Sequence, residues 1–184
     1  MDSMLVPELV VLTGPMFSGK SEELIRELRL AQIAELGVLV VKPVRDTRSE
    51  EVASRNGSGL PAIKVRNARE ILTCVNGEMY IGIDETQFFD DELPAVVMEL
   101  VRQGKRVIAA GLDLDFEEKP FETTQRLMAL AQEVRKLQAV CSKCRRRHAS
   151  RSQRLTDDAS RIVVGDKQYE PRCMSCFVPP HSPP

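Results

Sequence analysis

Leu9-Val10-Val11-Leu12-Thr13-Gly14-Pro15-Met16-Phe17-Ser18-Gly19-Lys20-Ser21 is the stretch on which the fold turns. Leu9 to Thr13 has the apolar, β-branched character of a buried strand and stops at Gly14. From Gly14 to Ser21 the chain satisfies G-x-x-x-x-G-K-[ST]. Beyond Ser21, Leu24, Ile25, Leu28, Ile33 and Leu36 recur at near-helical spacing with Glu and Arg between them, and Gly37 closes that helix. The strand and helix give the motif its meaning. Glycines let backbone N–H groups curl around phosphates, and the helix N-terminus adds positive partial charge. Lys20 then reaches the terminal phosphates and the Ser21 hydroxyl ligates Mg²⁺. The competing reading, a glycine turn with an ordinary helix-start lysine, leaves the flanking elements unexplained.

Outward from this point, short apolar runs alternate with amphipathic stretches. Val38 to Val41 reads as a buried strand, residues 45–61 as a polar, flexible excursion, and Ile63 to Val65 as a short strand. Asn67 can cap a helix running to about Val75. Met79 to Ile83 reads as a strand that delivers Asp84-Glu85 at its carboxyl end. A helix follows from Asp91, with Leu93, Val96, Val97, Leu100 and Val101 on one side, then a strand from Arg106 to Ala110. Thr124 to about Gln132 predicts a last helix and Lys136 to Val140 a last strand. The alternation predicts an α/β fold, a parallel sheet flanked by helices on both faces. Asp84 suits a Mg²⁺ shell, and Glu85 stands where a base would act on whatever attacks the γ-phosphate. Water or a substrate hydroxyl would serve, so these two acids do not separate an ATPase from a kinase.

The chain has 184 residues, 26 Lys and Arg against 27 Asp and Glu, and a net charge of −1. That balance excludes a globally basic nucleic-acid binder. No apolar run approaches the roughly 20 residues that cross a bilayer, and Met1-Asp2-Ser3-Met4 lacks the basic head of a secretory signal. The expectation is a cytoplasmic protein. Of five cysteines, Cys74 reads as a small core residue, while Cys141-x-x-Cys144 and Cys173-x-x-Cys176 form two chelating pairs suited to tetrahedral Zn²⁺. The 28 residues from 145 to 172 must then leave the metal and return as a long loop. Arg145, Arg146, Arg147, Arg151 and Arg154 crowd the start of that loop without an acid and without interleaved aromatics, which reads as a solvated basic surface; a nucleic-acid patch is the alternative. The domain reading is a nucleotide-binding core over 1–140, a zinc-binding module over 141–177, and a disordered Pro-rich tail over 178–184.

Several motifs together resemble the cytosolic (type II) thymidine kinase family. They are the P-loop continued as Ser21-x-Glu23-Leu24; Asp46-Thr47-Arg48; Ile83-Asp84-Glu85-x-Gln87-Phe88-Phe89; Gly111-Leu112-Asp113-x-Asp115-Phe116 with Lys119-Pro120-Phe121; Ser150-Arg151-Ser152-Gln153-Arg154-Leu155; and Gly165 through Tyr169 to Cys173-x-x-Cys176. They run in order from about Glu8 to Cys176. The resemblance implies a RecA-like core with a zinc-held lid, the lasso loop, and transfer of the γ-phosphate of ATP to the 5′-hydroxyl of thymidine. It implies a homotetramer under feedback by dTTP, with neither a nucleic-acid nor a membrane partner. Glu85 matches the family's general base. Gly14, Pro15, Met16, Phe17, Ser18, Gly19, Lys20, Ser21, Asp46, Arg48, Asp84 and Gln87 match its ATP and Mg²⁺ site. Met16, Phe116, Phe121 and Tyr169 match residues around the nucleoside, and Ser160, Arg161, Ile162, Val163 and Val164 match the lasso segment that grips the base.

Overall fold

A computed structural model describes residues 6–46, 51–53, 57, 59–156, 160–161 and 165–180. Arg48, Ile162 to Val164 and the last four residues of the expected tail lie outside the described residues. Six parallel strands form the central sheet: β1 (Leu9–Thr13), β2 (Val38–Pro43), β5 (Ile63–Val65), β6 (Tyr80–Ile83), β7 (Arg106–Gly111) and β8 (Glu133–Lys136), in the spatial order β5-β2-β6-β7-β1-β8. Two short strands, β3 (Glu51–Ala53) and β4 (Gly59–Pro61), pair as an antiparallel hairpin within the expected flexible excursion.

Side chains of successive strand residues point to opposite faces, so each central strand serves two cores. Val10, Leu12, Val40, Ile108 and Ala110 pack with Leu24, Ile25 and Leu28 of helix α1 (Lys20–Ile33), and the hairpin adds Val52 and Leu60 to that layer. Leu9, Val11, Leu39, Val41, Ile81, Ile83, Val107 and Ala109 face the other way, onto Ile71 of α2 (Glu70–Cys74), Leu93, Val96, Val97 and Leu100 of α3 (Leu93–Arg102), and Leu127 of α4 (Glu122–Leu130). Burial on both faces explains why these strands read as continuous apolar runs. At Gly82 of β6 an added Cβ would stand 2.4 Å from Leu28 Cδ1, so α1 sits directly on the strand. Asn67 caps α2 as expected, its Oδ1 accepting from the Glu70 N–H at 3.1 Å.

Three expectations are corrected. Helix α1 ends at Ile33, which is 79% exposed, rather than continuing to Leu36. Leu36 N–H bonds Ala31 O at 3.0 Å and Glu35 N–H bonds Gln32 O at 2.9 Å, so a Schellman turn closes the helix with Glu35, at φ 59°, in the left-handed position foreseen for glycine. The last sheet strand is Glu133–Lys136, with alternating exposure, instead of Lys136–Val140. The chain leaves the sheet there because Leu137 backbone crosses the P-loop, its N–H bonding Thr13 O at 2.7 Å. Ala139–Val140 is a separate strand, β9, paired antiparallel with β10 (Arg147–Ala149). Finally, Val178 is not the start of a free tail: it exchanges two hydrogen bonds with Gln153 at 2.8 and 3.0 Å.

Beyond β10, β11 (Arg151–Arg154) pairs antiparallel with β12 (Tyr169–Arg172). None of the described helices is long and apolar enough to cross a membrane.

Candidate functional site

The P-loop joins β1 to α1. Gly14 has φ 135°, and a Cβ there would lie 2.3 Å from Leu137 O, so only glycine fits under the crossing chain. Gly19, at φ 84°, turns the chain into the fourteen-residue α1, and Phe17 shares the left-handed region at φ 67°. Lys20 Nζ donates to Gly14 O at 3.1 Å and Pro15 O at 2.8 Å, which holds its ammonium inside the loop. Met16 N–H donates to the buried hydroxyl of Ser152 on β11 at 2.9 Å, and the Phe17 ring packs against the cysteine-bearing module. The loop is thus braced from outside the core.

Two strands away, β6 ends in the acid pair. Asp84 is buried, and its Oδ2 accepts from the Ser21 hydroxyl at 3.2 Å. A carboxylate and a helix-start hydroxyl, both hard oxygen donors, meet here at the phosphate end of the helix, a donor set suited to Mg²⁺. Glu85 N–H turns back onto Asp84 Oδ1 at 3.0 Å. Glu85 has φ 55° and ψ 47°, a left-handed conformation that costs a non-glycine residue about 1–2 kcal/mol. Such strain persists only where the surroundings over-determine it. Here a short helical turn, Thr86–Phe88, follows directly, and Gln87 Nε2 donates to Glu85 Oε2. Gln87, matched by the resemblance to the ATP and Mg²⁺ site, is 7% exposed and spans from Glu85 to the exit of β7, its Oε1 accepting Leu112 N–H at 3.0 Å. Gly111 permits this contact: a Cβ there would stand 1.9 Å from Thr86 Oγ1 and 2.9 Å from Gln87 Oε1.

Asp46, matched to the same site, is buried at the exit of β2. Its Oδ2 pairs at 2.9 Å with Lys42 Nζ, and both side chains are almost wholly buried; Lys42 donates further to Glu51 O at 3.1 Å. Lys42, paired with Asp46, therefore ties β2 to the hairpin. Lys42 was missed because a lysine closing an apolar run reads as a strand end reaching water.

Phe116, Phe121, Arg161 and Tyr169 come together on the far side of the P-loop. The Arg154 guanidinium lies 3.6 Å from the Phe116 ring centre and 5.2 Å from that of Tyr169. It also donates to the Tyr169 hydroxyl and to the carbonyls of Ser160 and Arg161. Arg161 reaches the opposite way, from Nε to the buried Asp115 Oδ2 at 2.8 Å and from Nη2 to Pro120 O at 2.9 Å, over the Phe121 ring. Two arginines thus fasten Ser160 and Arg161, the described part of the lasso segment, to the 113–121 loop. The reading of the arginine run as a solvated surface holds for Arg145 and Arg146, which are exposed, and fails for Arg154, which is 8% exposed. Arg151 is also engaged, to Glu118 at 2.6 Å. A run of like charges gives no sign of which members turn inward; the period of two along β11 does, once the strand is known.

The Sγ atoms of Cys141, Cys144, Cys173 and Cys176 lie within 4.8 Å of one another, the one such group of possible metal ligands among the described residues. Cys144 and Cys173 Sγ are 3.8 Å apart, the edge of a tetrahedron whose metal–sulfur bonds are about 2.3 Å long. Backbone N–H groups of Cys144, Cys173 and Lys143 point at the Cys141 sulfur and, against the effect of burial, bring its pKa down to about 6. Cys176 is pushed up to about 12, chiefly by its hydrogen bond with Cys173. Four soft donors at tetrahedral spacing with amide support fit structural zinc. Cys74, by contrast, is the last residue of α2 and packs, partly buried, against the core.

The family model described as thymidine kinase matches residues 7–177. A thymidine kinase from Rhodothermus sp. (strain ITI 518) is 47% identical over 173 residues, 92% of this chain and 81% of the relative. One from Mesomycoplasma hyopneumoniae (strain 7448) is 41% identical over 170 residues, 90% of this chain and 92% of the relative. Among solved structures, the flagellar accessory protein FlaH from Methanocaldococcus jannaschii aligns with a TM-score of 0.50 at 13% identity, over 72% of this chain and 71% of that one, a likeness of fold alone.

Proposed function

This chain belongs to the thymidine kinase family, and from that premise we propose that it transfers the γ-phosphate of ATP to the 5′-hydroxyl of thymidine, giving dTMP and ADP. The observation that carries the chemistry is the meeting of the Ser21 hydroxyl with Asp84 at the P-loop while Glu85, the next residue, is held by Gln87. In the transfer, the thymidine 5′-oxygen bonds to the γ-phosphorus as the bond to the β–γ bridging oxygen breaks. The hydroxyl proton goes to Glu85, and the leaving oxygen stays on ADP. Ser21 and Asp84 would hold Mg²⁺, which would supply charge neutralisation to the phosphates. Lys20 offsets the charge spread over the transferred group. Phe17, Ser18 and Gly19 supply backbone donors to the phosphates, since Pro15 has no N–H and that of Met16 is held by Ser152. Gln87, which donates to Glu85 Oε2, orients the base.

Met16, Phe116, Phe121 and Tyr169 surround the nucleoside, and Ser160 to Val164 form the lid over the base, with Asp46 and Arg48 shaping the phosphate side. Residues 1–140 act as the catalytic core and 141–177 as a zinc-anchored module whose lid excludes water, which would otherwise compete with the 5′-hydroxyl. dTTP, a thymine nucleoside with a triphosphate on the same 5′-oxygen, satisfies both halves of the site at once, so it is the feedback ligand. The assembly is a cytoplasmic homotetramer. A spectrophotometric ADP assay across nucleosides, DNA and RNA tests the reading: turnover rises with thymidine and with no nucleic acid. Turnover raised by DNA or RNA and indifferent to nucleosides would replace it with an ATP-driven nucleic-acid module.

A further inference from the structure

Strand β11 connects the two halves of the site through alternate residues. Burial along it alternates, with Ser152 and Arg154 turned inward. Ser152 Oγ accepts the N–H of Met16 at 2.9 Å, across 136 residues of sequence, within the loop proposed to cradle the phosphates. Arg154, two residues on, stacks on Phe116 and holds the carbonyls of Ser160 and Arg161 at the lid. On the other side β11 pairs with β12, register Arg154 to Tyr169. One extended segment therefore touches the P-loop backbone at Ser152 and the carbonyls of Ser160 and Arg161 at the next inward position, Arg154.

A P-loop works through the direction of its N–H groups. Met16 N–H is committed to Ser152, so its peptide plane, and with it the path from Pro15 to Phe17, is set by where β11 lies. A nucleoside seated against Phe116 and Tyr169 meets the two rings that Arg154 contacts, and so bears on β11. We infer that Ser152 is a positioning residue through which a nucleoside bound against these rings arranges the P-loop for ATP, so that the two substrates bind with positive coupling. This rests on the proposed kinase reading. Linkage makes the coupling reciprocal: each ligand tightens the other by the same factor.

The test is calorimetric. Binding of a non-hydrolysable ATP analogue, adenylyl imidodiphosphate with Mg²⁺, is measured on the zinc-loaded full chain with and without saturating thymidine. The wild-type protein binds the analogue at least about fivefold more tightly with thymidine present. Ser152→Ala leaves Met16 N–H without its acceptor and brings that ratio close to one, while Ser152→Thr, which keeps the hydroxyl, restores it. Should Ser152→Ala fail to fold, Ser152→Cys, a poor acceptor of similar size, carries the same comparison. A role in stability alone would lower the melting temperature or both affinities and leave the ratio intact. A ratio of one in the wild type, or a wild-type ratio in a folded Ser152→Ala protein, overturns the coupling. Failure of the kinase reading looks different, since thymidine then does not bind at all.

Discussion

Glu85 stands in a left-handed conformation at the end of β6 with one carboxylate oxygen already taken by Gln87. Its carboxylate is the group proposed to accept the proton of the 5′-hydroxyl. Glu85→Gln keeps size and hydrogen-bonding reach and loses only that capacity, so kcat should fall by about 10²- to 10⁴-fold with little change in the KM for ATP. Near-normal turnover in the folded variant would remove Glu85 from the base role. Lys20 faces the loop rather than the core. Lys20→Ala should therefore nearly abolish transfer to any nucleoside and leave the far-UV circular dichroism unchanged; loss of fold would mean that the lysine is structural. Both residues were legible because spacing and context fix their chemistry. The placement of Gln87 was not, since nothing local in the sequence reveals that Leu112 N–H, 25 residues on, captures its amide oxygen.

At the scale of elements, close approaches set the site. Helix α1 begins at the P-loop and rests on β6, which ends in Asp84, through the contact of Leu28 with Gly82. Gly82→Ala overpacks this joint and should destabilise the protein by about 1–3 kcal/mol. Because it also separates Ser21 from Asp84, thermal unfolding and Mg²⁺ dependence should shift together; an unchanged Mg²⁺ requirement would show that the helix yields elsewhere. Arg154 serves the lid in the same way. Arg154→Met keeps length and loses the charge-assisted bonds, each worth roughly 1.5–3 kcal/mol, so the KM for thymidine should rise tenfold or more while that for ATP moves far less. Equal KM changes for both substrates would count against a lid role. The central strands were legible as apolar runs because they are buried on both faces. Strand β8 was not: at the sheet edge Glu133, Arg135 and Lys136 alternate with Val134, while the apolar Leu137, Ala139 and Val140 drew the prediction past the point where the chain crosses Gly14.

At the scale of the whole molecule, two large apolar clusters flank the central sheet, while the cluster beside the cysteines is small. It consists of Ala139, Cys141 and Ala149, with Phe17 lent by the P-loop. Ordering each residue costs roughly 1–2 kcal/mol of backbone entropy, so without its metal this segment has little to hold it. Zinc should be present at one atom per chain by elemental analysis. Chelation, or Cys173→Ser, should raise the KM for thymidine steeply and open proteolytic sites among Arg145 to Arg161, while ATP still protects the core. Unchanged thymidine kinetics in a metal-free preparation would contradict the anchored lid. The module was legible from its cysteine spacing; its docking on the P-loop through Ser152 and Phe17 was not, because those contacts join the chain's two ends.

The central claim is that the 5′-hydroxyl of thymidine, held beside Glu85, takes the γ-phosphate in place of water. The most direct measurement compares ADP release with thymidine and with 5′-deoxythymidine, which keeps the base and most of the sugar and lacks the acceptor. The account predicts one dTMP formed for each ADP with thymidine, and no ADP above background with the deoxy analogue. Equal ADP release with both compounds would contradict it, since the nucleoside would then be a trigger for hydrolysis rather than the acceptor.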